Sequence, residues 1–323
     1  MPEQPKIAFL YSGQGSQYYQ MGRDLLEQRG VFYRYAMELD DLIREHLGVS
    51  IIGIIHDPRH RIADVFDQTA LTHPAIFLIE YALSQALMSE GIEPDYVLGT
   101  SMGAFAALVV AGGITPGQAV QAVITQASLL ADVCGAGSML ALPGTGRERA
   151  QAIAARLDCE LAAANVWSPC VLAVEQMRLE AVETALRRET ITFQRLAVSR
   201  AFHSHWIDAA RAPFVTFLAS VPVRRVHIPV VCCAGGKLLH ELPDTWLWDV
   251  IRRPIRFDDT VRELCRCERI RFIDIGPSGT LATSLKYCMP HLGTHHEIQA
   301  VLSPFGGAMA RYQQLVSAFR PTG

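Results

Sequence analysis

The 323-residue sequence lacks several features that would assign it to a specialised class of protein. It has no run of the roughly 18 apolar residues that a membrane-spanning helix requires, and its beginning shows no signal-peptide pattern. The formal net charge is only -3 and there are no long basic runs, so nothing indicates nucleic-acid binding. No internal repeat or low-complexity tract is present. These absences predict a soluble, cytoplasmic, globular protein.

The eight cysteines do not form a metal-binding or disulfide pattern. The only close pairs are Cys232-Cys233 and Cys265-x-Cys267, and neither has the paired C-x2-C spacing of a zinc site. We therefore expect free thiols in a reducing compartment and no metal site. Hydrophobic residues make up 50% of the chain, which allows a sizeable core in one large domain or two ordinary ones.

Short apolar runs and helical patterns follow one another along the chain. The runs 6–11, 96–98 and 272–275 predict buried strands that end in loops. Residues 103–112 are small and apolar and predict a buried helix directly after the second strand. Strand, turn and buried helix in succession predict an α/β core with a parallel sheet.

A longer helix is predicted over residues 72–90, which have helical periodicity. Thr72 is the expected N-cap, Pro74 falls in the first turn, and Gly91 ends the helix.

A second unit is predicted between residues 134 and 198. Three segments have the composition of strands and two have that of helices, in the order 138–142, 147–157, 169–174, 177–188 and 192–198. This alternation within about 65 residues is typical of a small ferredoxin-like subdomain. The remaining residues, 1–133 and 199–323, are assigned to the α/β core.

The sharpest local pattern is Gly99-Thr100-Ser101-Met102-Gly103, a G-x-S-x-G sequence between a predicted strand and a predicted helix. A sharp strand-to-helix turn exposes a serine hydroxyl, and flanking glycines make room for the bend. The backbone N–H after the serine and the start of the helix favour developing negative charge. The pattern predicts a nucleophilic serine, although by itself it also occurs by chance.

A nucleophilic serine needs a general base, because a free hydroxyl is a poor nucleophile at neutral pH. The chain has 11 histidines, and their number alone does not select one. His203 and His205 are candidates because they lie in the short polar segment Ala201-Phe202-His203-Ser204-His205.

Three motifs together carry a family resemblance. Residues 13–17 (GQGSQ), 99–103 (GTSMG) and 201–204 (AFHS) resemble the malonyl-CoA:acyl-carrier-protein transacylases and the acyltransferase domains of polyketide synthases, in the same order and at about the same spacing. The resemblance implies an α/β-hydrolase-like core with a small ferredoxin-like subdomain. It covers nearly the whole chain.

The resemblance also implies roles for individual residues. Ser101 matches the acyl-accepting nucleophile, and His203 matches its general base, oriented by a backbone carbonyl rather than by a carboxylate. Gln14 and Met102 match the residues whose backbone amides form the oxyanion hole. Asn165 matches an asparagine near the cleft, or it is a loop residue bonded to its own backbone.

The departures from the family bear on substrate choice. Thr100 stands where the family usually has histidine. Gln126, which lies 25 residues after Ser101, stands where enzymes selective for malonyl groups have an arginine that pairs with the free carboxylate. No arginine occurs between Ser101 and Arg147. We therefore expect Thr100 and Gln126 to belong to a pocket for neutral acyl groups.

The expected function is hydrolysis of neutral short acyl groups from the phosphopantetheine thioesters of acyl carrier proteins, as in the free-standing proofreading hydrolases of polyketide pathways. The alternatives are a transacylase that loads a neutral acyl group and an inactive carrier-binding scaffold. No cofactor is expected beyond the phosphopantetheine or coenzyme A of the substrate. Acidic carrier proteins are the expected partners. They would dock on arginines that include Arg200, Arg252 and Arg253, together with Arg195 and Arg256, or these arginines form only a solvated charged face.

Overall fold

The computed structural model describes residues 4–266, 268–289 and 296–320, and within them ten strands form two sheets. The strands are β1 (Lys6–Tyr11), β2 (Tyr96–Gly99), β3 (Gly137–Leu142), β4 (Glu160–Ala163), β5 (Cys170–Glu175), β6 (Gln194–Arg195), β7 (Val230–Cys232), β8 (Lys237–Leu239), β9 (Ile270–Asp274) and β10 (Glu297–Ala300).

Helices cover most of the remaining described chain. The α-helices are α1 (Arg23–Glu27), α2 (Val31–Leu47), α3 (Ile51–Ile55), α4 (Thr69–Ser89), α5 (Gly103–Val110), α6 (Pro116–Val133), α7 (Arg147–Leu157), α8 (Leu179–Arg188), α9 (Arg211–Leu218), α10 (Trp246–Arg252), α11 (Phe257–Leu264), α12 (Thr280–Cys288) and α13 (Ala308–Phe319). Short 3-10 helices cover Gln176–Arg178 and His205–Ala210. Among these helices none combines the length and the apolar character needed to cross a membrane.

The large sheet has the order β10-β9-β1-β2-β7-β8. Its pairs are parallel except β7 with β8. The register places Tyr11 opposite Gly99, and Leu10 opposite Asp274. The loops that follow β1, β2 and β9 therefore meet at one edge of the sheet. In open α/β sheets this carboxyl edge is where ligands bind.

The core beside this sheet is built around α4 and α5. Every residue of α5 is buried, as expected from its small apolar side chains, and α4 is buried along nearly its whole length. The predicted start of α4 at Thr72 is wrong, because the helix begins at Thr69 and contains Pro74. The Thr72 hydroxyl accepts a hydrogen bond from the side chain of Gln14 instead of capping the helix.

The small sheet is antiparallel, with the order β4-β5-β3-β6. Its chain order β3-α7-β4-β5-α8-β6 is that of a ferredoxin-like fold, which confirms the predicted fold class. Its strands lie between residues 137 and 195, within the predicted range 134–198, and the domain boundaries themselves stay a prediction.

Two details of the small sheet differ from the sequence prediction. β4 was not predicted, because Glu160-Leu-Ala-Ala has little intrinsic strand preference and is extended through its pairing with β5. The predicted strand 192–198 is reduced to Gln194–Arg195, because the chain then leaves the sheet toward the cleft, where Leu196 is part of the wall.

Candidate active site

Ser101 lies at the tip of the tight turn between β2 and α5. Its backbone has a φ of 52°, in the left-handed region that ordinary residues avoid. Glycines are required on both sides of the turn: a Cβ on Gly99 would lie 2.4 Å from the Cα of Ala104, and one on Gly103 would lie 2.5 Å from the carbonyl oxygen of Tyr11. The turn therefore holds the serine in the strained conformation that exposes its hydroxyl.

His203 contacts Ser101 directly. Its Nε2 lies 2.8 Å from the Ser101 Oγ, and its Nδ1 lies 2.7 Å from the backbone carbonyl oxygen of Arg253. Since a carbonyl oxygen only accepts hydrogen bonds, Nδ1 carries the ring proton and Nε2 is the acceptor for the serine hydroxyl. His203 also has a positive φ, 58°, so both members of the pair are held by unusual backbone geometry.

The surroundings of His203 keep its ring neutral. Burial lowers the pKa of His203 to about 4; the bond to the Arg253 carbonyl opposes this shift, and the nearby charge of Arg252 adds to it. At neutral pH the imidazole is therefore unprotonated and can take the proton from Ser101.

The loop after β1 passes beside Ser101. A Cβ on Gly13 would lie 2.9 Å from the Cβ of Ser101, so only glycine fits between them. The next side chain, Gln14, is held by Thr72 at 3.2 Å and by a close contact with the Nε2 of His73. Within the described residues no acceptor bonds the backbone amides of Gln14 or Met102. These two amides are therefore available to an oxyanion.

Glu80 anchors the same loop from beneath, a role that the sequence analysis missed. Its Oε1 accepts hydrogen bonds from the Ser12 backbone N–H at 2.7 Å and from the Ser12 hydroxyl at 3.2 Å. The hydroxyl of Ser16 in turn donates to the carbonyl of Gly13. Burial raises the pKa of Glu80 well above its usual range, and the charge of Asp274 adds to the effect. The only sequence signal was a single glutamate within an apolar helix.

A cleft of about 410 Å³ opens above Ser101 and His203, between the carboxyl edge of the large sheet and the small sheet. Thr100 is part of its lining, with its hydroxyl donated to the carbonyl of Tyr11 at 3.1 Å. The described side chains that line the cleft include no Asp, Glu, Lys or Arg. The opposite wall is formed by apolar residues of the small sheet, Met139, Ala141 and Val171.

Gln126 is buried but is not part of the cleft lining. It faces His73, whose ring bonds Gln14 on its other side. Neither the Gln126 amide nor the His73 Nδ1 has a hydrogen-bond partner among the residues that the structure describes. Burial lowers the pKa of His73 to about 3, so this pair carries no positive charge near neutral pH. Gln126 thus lies behind the loop that follows β1, one layer away from the cleft.

Asn165 lines the cleft and links the two sheets. Its Oδ1 accepts from the backbone N–H of Phe257 at 3.1 Å, and its Nδ2 donates to the carbonyl of Pro169 in its own loop. The same loop is fixed by the buried carboxylate of Asp258, which accepts three consecutive backbone N–H groups, from residues 166 to 168. The sequence analysis missed Asp258, which lies about ninety positions further along the chain.

The arginines expected to dock a carrier protein are largely engaged within the protein. Arg200 donates to three backbone carbonyl groups. Arg252 pairs with Asp208 at 2.6 Å. Arg253 is 60% exposed, with a single weak pairing to Asp249 at 3.6 Å, and its carbonyl orients His203. His205, the other candidate base, pairs with Glu160 at the surface.

The described residues contain no group of three or more His, Cys, Asp or Glu side chains placed to hold a metal ion. The six cysteines whose side chains are described are all free thiols, and burial raises the pKa of Cys159 to about 11. The thiol of Cys159 is therefore protonated at neutral pH, and none of the six cysteines lines the cleft.

A model of the acyl transferase domain family matches residues 8–301. The chain belongs to this family. It is 36% identical over 309 residues to the polyketide biosynthesis acyltransferase homolog BaeD of Bacillus velezensis, covering 96% of this chain and 95% of that protein. It is 37% identical over 287 residues to the homolog PksD of Bacillus subtilis, covering 88% of each chain.

Solved structures agree with this assignment. The acyltransferase domain from the second module of the salinomycin polyketide synthase superposes with a TM-score of 0.85 at 26% identity, over 99% of this chain and 75% of that one. The resemblance and the α/β fold class predicted from the three motifs are therefore confirmed. As a member of the acyl transferase domain family, the protein is an enzyme of the serine acyltransferase and hydrolase type.

Proposed function

We propose that the protein hydrolyses neutral short acyl groups from phosphopantetheine thioesters of acyl carrier proteins in a polyketide pathway. The observation that carries the substrate choice is the lining of the cleft, which contains no cationic side chain among the described residues. A malonyl carboxylate would lose its hydration there without a partner, at a cost of several kcal/mol. A neutral acyl group incurs no such penalty.

The proposed reaction uses Ser101 and His203 in two steps. His203 Nε2 takes the hydroxyl proton as Ser101 Oγ attacks the thioester carbonyl carbon, and the backbone amides of Gln14 and Met102 bind the oxyanion. Collapse breaks the C–S bond, and His203 returns the proton to the thiolate. Water then loses a proton to His203 and attacks the acyl-serine, releasing the acid and restoring Ser101.

A transacylase that loads a neutral acyl group is the second candidate, and the names of the relatives, acyltransferase homologs, favour it. The two activities share the acyl-serine and differ only in whether water or a carrier thiol attacks it. An inactive scaffold is disfavoured because Ser101 and His203 are joined at 2.8 Å, as a working pair requires.

The test is mass spectrometry of acetyl-, butyryl- and malonyl-loaded carrier protein after incubation with the wild type and with Ser101→Ala. We expect free holo-carrier and free acid from the two neutral substrates, and no reaction with the variant. Ser284→Ala is the matched control, because this serine lines the same cleft outside the proposed reaction path; it should retain full activity.

Each other outcome has a definite meaning. An acyl-enzyme that discharges only when a second holo-carrier is added identifies a transacylase. Preferential attack on the malonyl carrier would contradict the argument from the uncharged cleft. Hydrolysis that survives in Ser101→Ala would exclude the proposed nucleophile.

A further inference from the structure

Three arginines converge on a single carboxylate beside the cleft. Asp259, at the start of α11, accepts from Arg147 at 2.7 Å, from Arg256 at 2.7 Å and from Arg262 at 3.0 Å. Burial alone would raise the pKa of Asp259, but the bonds from Arg256 and Arg147 hold it below its usual value. One negative charge thus faces three guanidinium groups, and two positive charges are left over.

These arginines lie next to residues that form the cleft. Arg256 stands between Ile255 and Phe257 in the chain, and both neighbours line the cleft. Arg147 begins α7 of the small sheet, so the cluster joins the two walls. The side chains of Arg256 and Arg262 are 50% and 49% exposed, whereas that of Asp259 is 10% exposed. The guanidinium groups of Arg256 and Arg262 therefore face solvent, whereas the Arg147 side chain is 27% exposed with a buried Nε, and the Asp259 carboxylate lies beneath.

An aromatic ring beside the cleft extends the arginine cluster. The guanidinium of Arg262 lies over the ring of Trp167 at 5.5 Å, and Trp167 is 37% exposed. Trp167 belongs to the loop whose residues Asn165 and Ser168 line the cleft. Asp258, next to Asp259 in the chain, is fully buried and bonded to the backbone of this loop, so it does not cover the exposed face of the arginines.

We propose that Arg147, Arg256 and Arg262 bind the phosphate of the phosphopantetheine arm of an acyl carrier protein while the thioester lies in the cleft. This inference rests on the proposed function and adds a phosphate subsite to it. Guanidinium groups bind phosphate oxygens through paired charge-assisted hydrogen bonds. The cleft lining is uncharged, so the charged part of the arm must be recognised beside the cleft, and this arginine cluster lies there.

The test compares butyryl-pantetheine with butyryl-4′-phosphopantetheine, which differ only in the phosphate. The wild type should use the phosphorylated thioester with a kcat/KM about tenfold higher, equivalent to about 1.4 kcal/mol. Arg256→Gln combined with Arg262→Gln should remove this preference, so that the ratio of the two kcat/KM values falls to about one. The substitutions keep the Arg147–Asp259 pair and much of each side chain's apolar stem. With butyryl-loaded carrier protein as the substrate, the kcat/KM of this double variant should fall by the same factor of about ten.

The matched control is Arg34→Gln with Arg44→Gln on α2, two exposed arginines in ion pairs within their own helix. This variant changes the net charge by the same amount and should keep the preference. Raising the salt concentration should weaken the preference in the wild type, because exposed charges are screened. Butyryl-coenzyme A is tested as a third substrate. If the Arg256→Gln, Arg262→Gln variant loses kcat/KM only with butyryl-coenzyme A and not with butyryl-loaded carrier protein, the assignment to a carrier protein is overturned.

A binding measurement tests this inference independently of the proposed function. Ser101→Ala protein should bind butyryl-4′-phosphopantetheine more tightly than butyryl-pantetheine even if the wild type hydrolyses neither. Equal affinities for the two thioesters, or a preference that persists when Arg256 and Arg262 are replaced, would overturn the phosphate subsite.

Discussion

Replacing Glu80 tests how the loop that follows β1, which contains Ser12 and Gln14, is held in place. Glu80 is fully buried, and its Oε1 accepts from both the backbone N–H and the hydroxyl of Ser12. Burial raises the pKa of this carboxyl well above its usual range, which favours its neutral form. The acceptor oxygen that Ser12 needs and the charge of the carboxyl are separate properties.

Two substitutions separate these properties. Glu80→Gln keeps an acceptor oxygen for Ser12 in a side chain of similar size, but its amide N–H groups replace the Oε2, which has no partner among the described residues. It should therefore cost about 1–3 kcal/mol of unfolding free energy and leave the loop in place. Glu80→Met has a similar length but no oxygen, so it leaves the buried Ser12 N–H without an acceptor and should cost about 1–3 kcal/mol.

Urea denaturation followed by circular dichroism measures both free energies, with Glu38→Met on the exposed face of α2 as the control for the substitution itself. Thioester turnover is measured in parallel, since a displaced Ser12 would move the Gln14 amide and lower kcat by about tenfold or more. An equal fall in kcat for both substitutions would show that the acceptor oxygen at position 80 does not hold the loop, and it would refute the reasoning.

Two further predictions concern the nucleophile and its base. The pKa of His203 is lowered to about 4, and the unprotonated ring is the active form, so kcat/KM should stay level from about pH 8 to about pH 5 and be halved near pH 4; a pH–rate profile with half-activity near 6.5, the ordinary histidine value, would contradict this. Gly13→Ala should lower kcat by about tenfold or more, because its Cβ would lie 2.9 Å from that of Ser101. Steady-state kinetics test it against Gly30→Ala, where a Cβ meets no atom within 4 Å; equal kcat values for the two variants would show that the loop adapts.

The parts of the fold and site that could be predicted from sequence are those with a local cause. Strand β1 and helix α7 have the predicted bounds, 6–11 and 147–157, because their apolar spacing is unambiguous. The turn around Ser101 was predictable because its two glycines are required by contacts within a few residues or with the adjacent strand. His203 was selected by its resemblance to a family motif, since no local pattern distinguishes one histidine from another.

The parts that could not be predicted depend on contacts between distant positions. Glu80 bonds Ser12 across 68 positions, and Asp258 bonds the loop of Trp167 across 91. The group that orients His203 is a backbone carbonyl, that of Arg253, and a carbonyl has no sequence signature. The sequence predicts Gln126 as a residue of the acyl pocket, and that role stays a prediction; only the fold shows that His73 and Gln14 lie between it and the cleft.

The neutrality of the cleft and the low pKa of His203 have one physical origin. Removal of water from around His203 penalises its protonated form and so keeps it available as a base. The same environment penalises a carboxylate on the acyl group, because no cationic side chain among the described lining residues offsets its lost hydration. The activation of Ser101 and the proposed exclusion of malonyl groups therefore depend on the same environment. A substitution that introduces a cation beside the acyl group would also change the electrostatic environment of His203.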